Sequence, residues 1–461
     1  MKTLSLVVLL FVSTSLFAIP DDSTRLINTI HLGYSAISLD YSPDGNFLAI
    51  AGGKHDIDIF QPTLGVKMKT LKGGHNDDVL SVRFSPDSRL LATGGADHRI
   101  LIWDVASGSL LREMKGHEGY VRDLDFSPDG FYLASASWDG TAKIWETGTA
   151  RMVLDLDRHP DDVTSVAYGD EGKHLITACA DHNLRVWSTK SGVLLRTLEG
   201  HSDGVWDVKW SPVSDVVASG GWDNKIHVWN PHKGVQVRKH DGHSSDVWSV
   251  AFSPDGATFA TSGGDRTVKL WDLATGRRLM TMAEKAHDSD VEEIDFSPDG
   301  TVIASCSRDG ILKFWSVPHL EERINSAVNL VMKDWVQKSP FEKTSEYDNR
   351  MKKAQKQSTR IKSEMEKELA RFFEEQINWE KTITVKNYNA DQGYFLIDSP
   401  VLGELRLMAN SGDAKKIVVN MERVRFRDLK MKVVKGQLVV DNLTAYLKGE
   451  KQLDTADLNE E

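Results

Sequence analysis

The sequence predicts an all-β ring of seven small antiparallel sheets, followed by a small α+β domain. Tryptophan recurs at a constant interval at positions 103, 145, 187, 229 and 271, and again at 315 after a slightly longer interval. Each of these units also carries a histidine and, at a constant distance after it, an aspartate. A fixed period of this size is the signature of a repeat fold, in which copies of one structural unit pack side by side.

Six units share four positions. The histidines are His75, His117, His159, His201, His243 and His287, and the aspartates are Asp97, Asp139, Asp181, Asp223, Asp265 and Asp309. The tryptophans are Trp103, Trp145, Trp187, Trp229, Trp271 and Trp315, and a hydroxyl lies at Thr93, Ser135, Thr177, Ser219, Thr261 and Ser305.

Within one unit, short apolar segments alternate with turn residues, which predicts strands joined by hairpins. Ser-Pro-Asp-Gly turns occur at 42–45, 127–130, 253–256 and 297–300. In the first strand the apolar residues lie at i, i+3 and i+5, as in Val79, Val82 and Phe84. Because this spacing is one residue out of strict alternation, we expect a β-bulge at the start of that strand.

The full pattern resembles the WD40 repeat over residues 22–317. It reads Gly-His, then an Asp at a constant distance, then a Trp at the sixth position after the Asp, often followed by another Asp, as in Trp103-Asp104 and Trp271-Asp272. The resemblance implies a seven-bladed β-propeller, in which the Trp, hydroxyl, His and Asp of each blade form a structural hydrogen-bonded chain. It also implies that an N-terminal strand, here residues 24–30, closes the ring as the outer strand of the last blade.

The first copy of the repeat is degenerate. Aligning its Tyr-Ser-Pro-Asp-Gly run places Leu32 in the His column, Ile50 in the hydroxyl column, Lys54 in the Asp column and Phe60 in the Trp column. Removing both partners of a buried hydrogen bond can leave the stability nearly unchanged, whereas removing one leaves the other buried without a partner. The substitutions are therefore mutually consistent, and we count this copy as a blade.

Residues 1–18 predict a secretory signal cleaved after Ala18. They contain one basic residue and an apolar run too short to span a bilayer comfortably, and no later stretch is long and apolar enough to cross a membrane. An uncleaved anchor is the alternative, because Leu16 is bulkier than the small residue preferred before such a site. We expect an exported protein, either periplasmic or extracellular.

Charge argues against nucleic-acid binding. The formal net charge is −11, and residues 1–317 carry 31 basic and 43 acidic residues, against 25 and 24 in residues 318–461. A nucleic-acid interface needs a basic stripe, which this acidic body does not offer. The only two cysteines, Cys179 and Cys306, lie in distant units, so we expect two separate buried thiols.

The C-terminal region predicts two helices and a small sheet. We expect a helical linker at 318–380, with one helix at 319–337 and a longer one from Pro340 to about residue 377. Strand-like segments follow at 382–385, 394–397, 404–408, 417–420, 430–434, 437–440 and 443–447, within a small antiparallel domain at 381–450. Residues 451–461 read as an acidic disordered tail. Residues 335–347 and 388–407 resemble a segment of bacterial envelope proteins that is fused to WD40 or caspase-like modules.

The repeated Ser/Thr, His and Asp residues do not indicate a hydrolase. A catalytic triad occurs once and needs an exposed nucleophile, whereas six copies, each sealed by a tryptophan, indicate internal architecture. Paired cysteines, a His-Glu-x-x-His motif and a calcium loop are all missing from the sequence. We therefore expect no catalytic residue, no bound metal and no cofactor, and predict that the protein is not an enzyme.

The candidate binding residues belong to two columns that face the upper rim in the propellers this chain resembles. The first column reads Ile37, Leu80, Arg122, Thr164, Trp206, Trp248 and Glu292, and the second includes Trp138, Trp222 and Arg308. Trp, Tyr and Arg dominate binding hot spots. We therefore predict partner binding by Tyr120, Arg122, Trp138, Trp206, Trp222, Trp248 and Arg308. The alternative is that these tryptophans are common fillings that stack on neighbouring loops.

Two functions fit these observations. The first is an exported scaffold that binds a protein or peptide on the upper rim of a monomeric propeller. The second is an enzyme or small-ligand receptor that uses the central channel, which predicts a cluster of carboxylates at its mouth, such as Asp290, Glu292 and Asp246. Fold alone does not decide between them, because propellers host unrelated functions.

Overall fold

The computed structural model describes residues 25–318 except 158 and 284, residues 322 and 328, the helix at 344–376, and the strands at 384–389, 394–399, 403–408, 424–434 and 437–447. The predicted signal, the helix expected at 319–337, the strand expected at 417–420 and the acidic tail lie outside these residues, apart from positions 322 and 328. No helix in the described part of the chain is both long enough and apolar enough to cross a membrane.

Seven four-stranded antiparallel sheets make up the described residues 26–316. The first strand of the chain, β1, joins the last sheet and spans Leu26–His31. Blade 1 contains β2 (Ala36–Tyr41), β3 (Leu48–Gly52), β4 (Lys54–Gln61) and β5 (Val66–Leu71). Blade 2 contains β6 (Val79–Phe84), β7 (Leu90–Gly95), β8 (Ile100–Asp104) and β9 (Leu110–Met114). Blade 3 contains β10 (Val121–Phe126), β11 (Tyr132–Ser137), β12 (Ala142–Glu146) and β13 (Arg151–Leu156).

The next four blades repeat this order. Blade 4 contains β14 (Val163–Gly169), β15 (His174–Cys179), β16 (Asn183–Ser188) and β17 (Leu194–Glu199), with a 3-10 turn at Asp170–Gly172. Blade 5 contains β18 (Val205–Trp210), β19 (Val217–Gly221), β20 (Lys225–Asn230) and β21 (Val235–Asp241). Blade 6 contains β22 (Val247–Phe252), β23 (Thr258–Gly263), β24 (Val268–Asp272) and β25 (Arg278–Ala283). Blade 7 contains β26 (Val291–Phe296), β27 (Val302–Ser307) and β28 (Ile311–Ser316), and β1 completes it.

The sheets form a closed ring, which confirms the predicted seven-bladed propeller. The first strand of each blade contacts the first strand of the next, and β26 of blade 7 contacts β2 of blade 1. Strand β1 pairs antiparallel with β28, from Leu26 opposite Trp315 to His31 opposite Ile311. This pairing covers the edge of β28, which would otherwise offer unpaired backbone groups to other chains.

The predicted β-bulge is present at the start of every inner strand. The pairing register shifts between its first and third residues, as between Val79 and Ser81 or between Val205 and Asp207. A bulge leaves its extra residue unpaired and re-aims that side chain. In each blade the extra residue belongs to the first rim column of the sequence analysis, which includes Trp206 and Trp248.

Blades 2 to 7 contain a buried hydrogen-bonded chain. In each blade the tryptophan Nε1 donates to the hydroxyl oxygen over 2.8–3.0 Å, and this oxygen lies 2.7–2.9 Å from the histidine Nε2. In five of them the histidine Nδ1 lies 2.7–3.1 Å from the aspartate.

Blade 4 departs from this pattern. His159 Nδ1 lies 3.2 Å from the carbonyl oxygen of Leu156, and Asp181 instead accepts from Arg185 over 3.0 Å. In the five regular blades the aspartate also accepts the backbone N–H of the residue after the histidine. Blade 4 has Pro160 at that position, which has no N–H to donate. The backbone donor to the aspartate is therefore missing in blade 4, and the expected contact between His159 and Asp181 is also absent.

Blade 1 replaces the chain with a different buried polar cluster. Asp58, 1% exposed, accepts hydrogen bonds from Lys54 Nζ over 2.7 Å, Thr70 Oγ1 over 2.6 Å and Tyr34 Oη over 3.0 Å. Lys54, which aligns with the aspartates of the other blades, thus pairs with an acid four residues later. Leu32, Ile50 and Phe60 occupy the other three columns. Ile50 and Phe60 belong to the apolar core, and the partly buried Leu32 packs against it.

The C-terminal region contains a helix and two small sheets in its described parts. Helix α1 spans Thr344–Gln376, and β29 (Thr384–Asn389), β30 (Tyr394–Ser399) and β31 (Gly403–Met408) form a three-stranded antiparallel sheet. Strands β32 (Val424–Val434) and β33 (Gln437–Leu447) form a hairpin that contacts α1. The two strands expected at 437–440 and 443–447 are therefore one strand, because a register irregularity opposite Asn442 absorbs the break in alternation.

Candidate functional site

Six of the predicted binding residues form one continuous cluster at the mouth of the channel. We call Tyr120, Arg122, Trp138, Trp206, Trp222 and Trp248 the rim cluster. The bulges of β10, β18 and β22 aim Arg122, Trp206 and Trp248 at the channel mouth, and Tyr120 lies on the loop before β10. Trp138 and Trp222 lie in the turns after β11 and β19.

Trp206 is the centre of the rim cluster. Its ring centroid lies 4.8 Å from that of Trp248, 5.5 Å from Trp222 and 6.4 Å from Trp138. The Arg122 guanidinium lies 4.8 Å from the same ring, which is within the range of a cation–π interaction. Trp206 is 9% exposed.

Tyr120 and Trp138 extend the rim cluster toward solvent. Their ring centroids are 5.2 Å apart, and Tyr120 also contacts His98, whose ring centroid lies 5.8 Å away. The exposed fractions of Tyr120 and Trp138 are 41% and 36%. Exposed aromatic residues around a buried one are an arrangement that is typical of binding hot spots. They also stack on neighbouring loops, so the alternative interpretation describes the same contacts.

A cavity of about 340 Å³ opens beside the rim cluster. We call it the rim cavity, and it is lined by Trp138, Asp162, Thr164, Trp206, Trp222, Asp246 and Trp248. None of these described lining residues is Lys or Arg. Its two acids come from the loops that precede β14 and β22.

Burial and neighbouring acids raise the pKa of both carboxyl groups in the rim cavity. For Asp246 burial acts first, followed by the charges of Asp203 and Asp290. For Asp162 burial again acts first, followed by the charge of Asp161. These carboxylates therefore lie in a region of negative potential, because repulsion between like charges disfavours the ionised form.

Arg308 joins the site through Glu292. The Arg308 Nε donates to Glu292 Oε1 over 2.6 Å, and the Glu292 side chain is buried while that of Arg308 is 55% exposed. Burial raises the pKa of Glu292 despite the nearby charges of Arg308 and Arg122. Of the carboxylates expected for a channel site, Asp290 lies near both Asp246 and Glu292, and Glu292 is paired to an arginine.

Below the rim, the inner strands carry carboxylates that no repeat motif in the sequence marks. They are Asp40, Asp123, Asp125, Asp207, Glu293 and Asp295, which we call the channel carboxylates. Each of them accepts a backbone N–H from the inner strand of the next blade over 2.6–3.2 Å. Inner strands are sheet edges whose backbone donors need partners. The channel carboxylates therefore bind neighbouring blades together.

Two cations balance part of this charge. Arg83 lies 2.8 Å from Glu293 and 3.2 Å from Asp123, and Lys209 lies 3.2 Å from Asp207. Burial alone would raise the pKa of Asp123, but Lys209 and Arg83 lower it to about 2. Burial raises the pKa of Asp125 to about 6.

A small gap lies where the rim meets the channel carboxylates. Its lining includes Arg122, Trp206, Asp123 and Asp207, and its volume of about 20 Å³ is room for about one water molecule.

Three groups of histidine and aspartate in the described residues have donor atoms close enough to hold a metal ion. They are Asp170, His174 and His232; His201, Asp223 and His227; and His55, Asp77 and Asp78. Sequence spacing did not reveal them, because two of the groups join different blades. His201 and Asp223 already belong to the hydrogen-bonded chain of blade 5. The absence of a bound metal stays a prediction.

These observations define the class of protein as a seven-bladed WD40 propeller. The family model described as WD domain, G-beta repeat matches residues 65–104, 108–146, 151–188, 192–230, 234–272 and 276–316, slightly more than half of the chain. The chain belongs to this family. Each match runs from the outer strand of one blade through the third strand of the next, and the degenerate first copy lies outside the matches. No curated protein matches the chain.

Proposed function

We propose that this protein is an exported interaction scaffold that binds a protein or peptide partner at the rim cluster. The observation that carries the proposal is the contact of four tryptophans, a tyrosine and an arginine around one mouth of the propeller. WD40 propellers generally serve protein–protein interaction, and they offer several similar loops to an extended partner.

The contacts of the carboxylates favour a rim binder over a channel enzyme. The rim cavity offers about 340 Å³ beside the four tryptophans. All six channel carboxylates accept backbone hydrogen bonds. The alternative function, an enzyme or small-ligand receptor in the channel, is favoured only by the carboxylates at the mouth. Native mass spectrometry and metal analysis of the purified protein test it, because a tightly held ligand or metal is its expected result.

Export is a separate part of the proposal and rests on residues 1–18. We propose cleavage after Ala18 and a mature protein in the periplasm or outside the cell. Fractionation of the native cells followed by N-terminal sequencing tests this directly. A chain that begins at Ile19 in the exported fraction is expected, and an intact Met1 in the cytosol would contradict it.

Site-specific photocrosslinking tests the binding surface. A photoreactive phenylalanine analogue replaces Trp138, which lies in the rim cluster, or Met152, which is 44% exposed on the outer strand β13. We expect a discrete crosslinked partner from position 138 in native cells and none from position 152. Equal crosslinking from both positions, or no discrete product from position 138, would contradict rim binding.

A further inference from the structure

We infer that the rim cavity takes a cationic side chain, lysine or arginine, from a basic segment of the protein partner. This inference rests on the proposed function and adds the chemistry of the partner to it. Three features of the cavity carry it: its aromatic walls, its two carboxylates and the surrounding charge.

The walls of the rim cavity come from four tryptophans. The face of an indole ring carries negative charge density, and tryptophan is the aromatic side chain that binds cations best. The chain itself gives an example, because the Arg122 guanidinium lies 4.8 Å from the Trp206 ring centroid. Arg122 lies toward the channel and is not among the residues that line the rim cavity.

The two carboxylates make the cavity selective for positive charge. Asp162 and Asp246 line it, and no described Lys or Arg lines it with them. A neutral apolar side chain would fill the space but would leave these acids partly dehydrated without a partner, which is costly. A cation satisfies both the carboxylates and the indole faces.

The acidic residues around the cavity also favour positive charge in the partner residues on either side of the bound side chain. Asp161 and Asp203 are exposed on the neighbouring loops, and Asp290 lies near Asp246. Residues 1–317 carry 31 basic and 43 acidic residues. Complementary potentials steer partners and set specificity, so we expect a basic segment. A cavity of about 340 Å³ is near the lower end of the range for ligand pockets, about 300–1,000 Å³, which suits one long side chain.

Calorimetric titration of the full chain with short capped peptides tests the inference. The probes are acetyl-Gly-X-Gly-amide peptides in which X is lysine, arginine, norleucine or glutamate. We expect the lysine and arginine peptides to bind at least tenfold more tightly than the norleucine peptide, and the glutamate peptide not to bind. Raising the salt concentration from 50 to 300 mM weakens the cationic peptides and leaves norleucine unchanged. Equal affinity for lysine and norleucine, or no binding of either cationic peptide, would overturn the inference.

Paired variants separate charge from shape. Asp162→Asn combined with Asp246→Asn keeps the volume of the cavity and removes both charges, so we expect at least a tenfold loss for the lysine peptide. Asp157→Asn removes one charge from an exposed residue beyond the end of β13 and is the matched control. Unchanged lysine affinity in the double variant, with the fold verified by circular dichroism, would refute the role of the carboxylates.

A second pair of variants tests the aromatic walls. Trp222→Phe keeps an aromatic face and Trp222→Leu keeps only apolar volume, so a cation–π contact predicts that leucine loses more lysine affinity than phenylalanine does. Equal loss would argue against it. The crosslinking experiment distinguishes the two levels of the proposal. If a partner crosslinks at position 138 but cationic peptides are not preferred, the proposed scaffold function is retained and the inference of a bound cation is rejected. If there is neither a crosslinked partner nor a preference for cationic peptides, both proposals are rejected.

Discussion

The hydrogen-bonded chain in blade 2 allows a quantitative prediction. Thr93, His75 and Trp103 are all buried, and the Thr93 oxygen accepts from Trp103 Nε1 over 3.0 Å. Because the Asp97 carboxylate can only accept, the His75 Nδ1 carries the proton and Nε2 accepts from the Thr93 hydroxyl over 2.8 Å. Thr93→Val keeps the shape of the side chain and leaves Trp103 Nε1 and His75 Nε2 without a hydrogen-bond partner. Each buried group left without its partner costs about 1–3 kcal/mol, so for two such groups we expect the free energy of unfolding to fall by about 2–6 kcal/mol.

Blade 1 shows how the loss can be relieved. It has Leu32 and Ile50 where blade 2 has His75 and Thr93, so neither position carries a polar group there. In a His75→Leu variant, Asp97 keeps Arg99 Nη2 at 2.7 Å and a backbone donor. Combining His75→Leu with Thr93→Val therefore removes a hydrogen-bonded pair and should cost less than the sum of the two single changes, by about 0.5–3 kcal/mol.

Urea denaturation of the wild type, both single variants and the double variant at pH 7 measures this coupling. Ile50→Val in blade 1 is the control, because it removes only a methylene group and should cost about 0.5–1.5 kcal/mol. Additive costs for the two blade 2 substitutions would refute the reasoning. So would a Thr93→Val variant that is no less stable than the Ile50→Val control.

Three further predictions concern buried ionisable groups. Burial and then the neighbouring His201 lower the pKa of His227 to about 3, so the stability that the neutral ring contributes is lost as pH falls from about 6.5 toward 3. His227→Leu should gain about 2 kcal/mol relative to wild type between pH 7 and pH 5, measured by denaturant titration of both proteins. Arg83→Met should cost about 3–5 kcal/mol at pH 7, and adding Glu293→Gln should recover part of this. Burial raises the pKa of Cys179 to about 12, so iodoacetamide should label it only after unfolding, as mass spectrometry would show.

The repeat itself was predictable from sequence because its physics is local. A constant repeat period, turn residues at fixed offsets and a strand that is one residue out of alternation predicted the number of sheets and the bulge. The resemblance to WD40 propellers predicted that Arg122, Trp206 and Trp248 share one mouth of the ring, and in the structure their side chains lie together. Ring closure by the first strand followed from the resemblance, although that strand begins and ends slightly later than expected, at Leu26–His31.

Other features depend on contacts that the shared repeat positions do not specify. Asp58 in blade 1 binds Lys54, Thr70 and Tyr34, and no repeat column marks this set. In blade 4, Pro160 indicates one departure from the pattern, because a proline cannot donate a backbone N–H to the aspartate. This signal is readable in the sequence once the role of the neighbouring N–H is known from the regular blades.

The acidic residues of the propeller include two groups with different roles, which a count of charges cannot separate. The channel carboxylates accept N–H groups of the next blade, and Arg83 and Lys209 compensate part of their charge. Their charge is therefore committed to holding the ring together and is shielded from a partner. Asp162 and Asp246 lie instead beside the tryptophans in a cavity of ligand size. These two acids, together with the exposed acids around them, are placed to select a partner by charge, and the proposed binding site therefore lies at the rim and not in the channel.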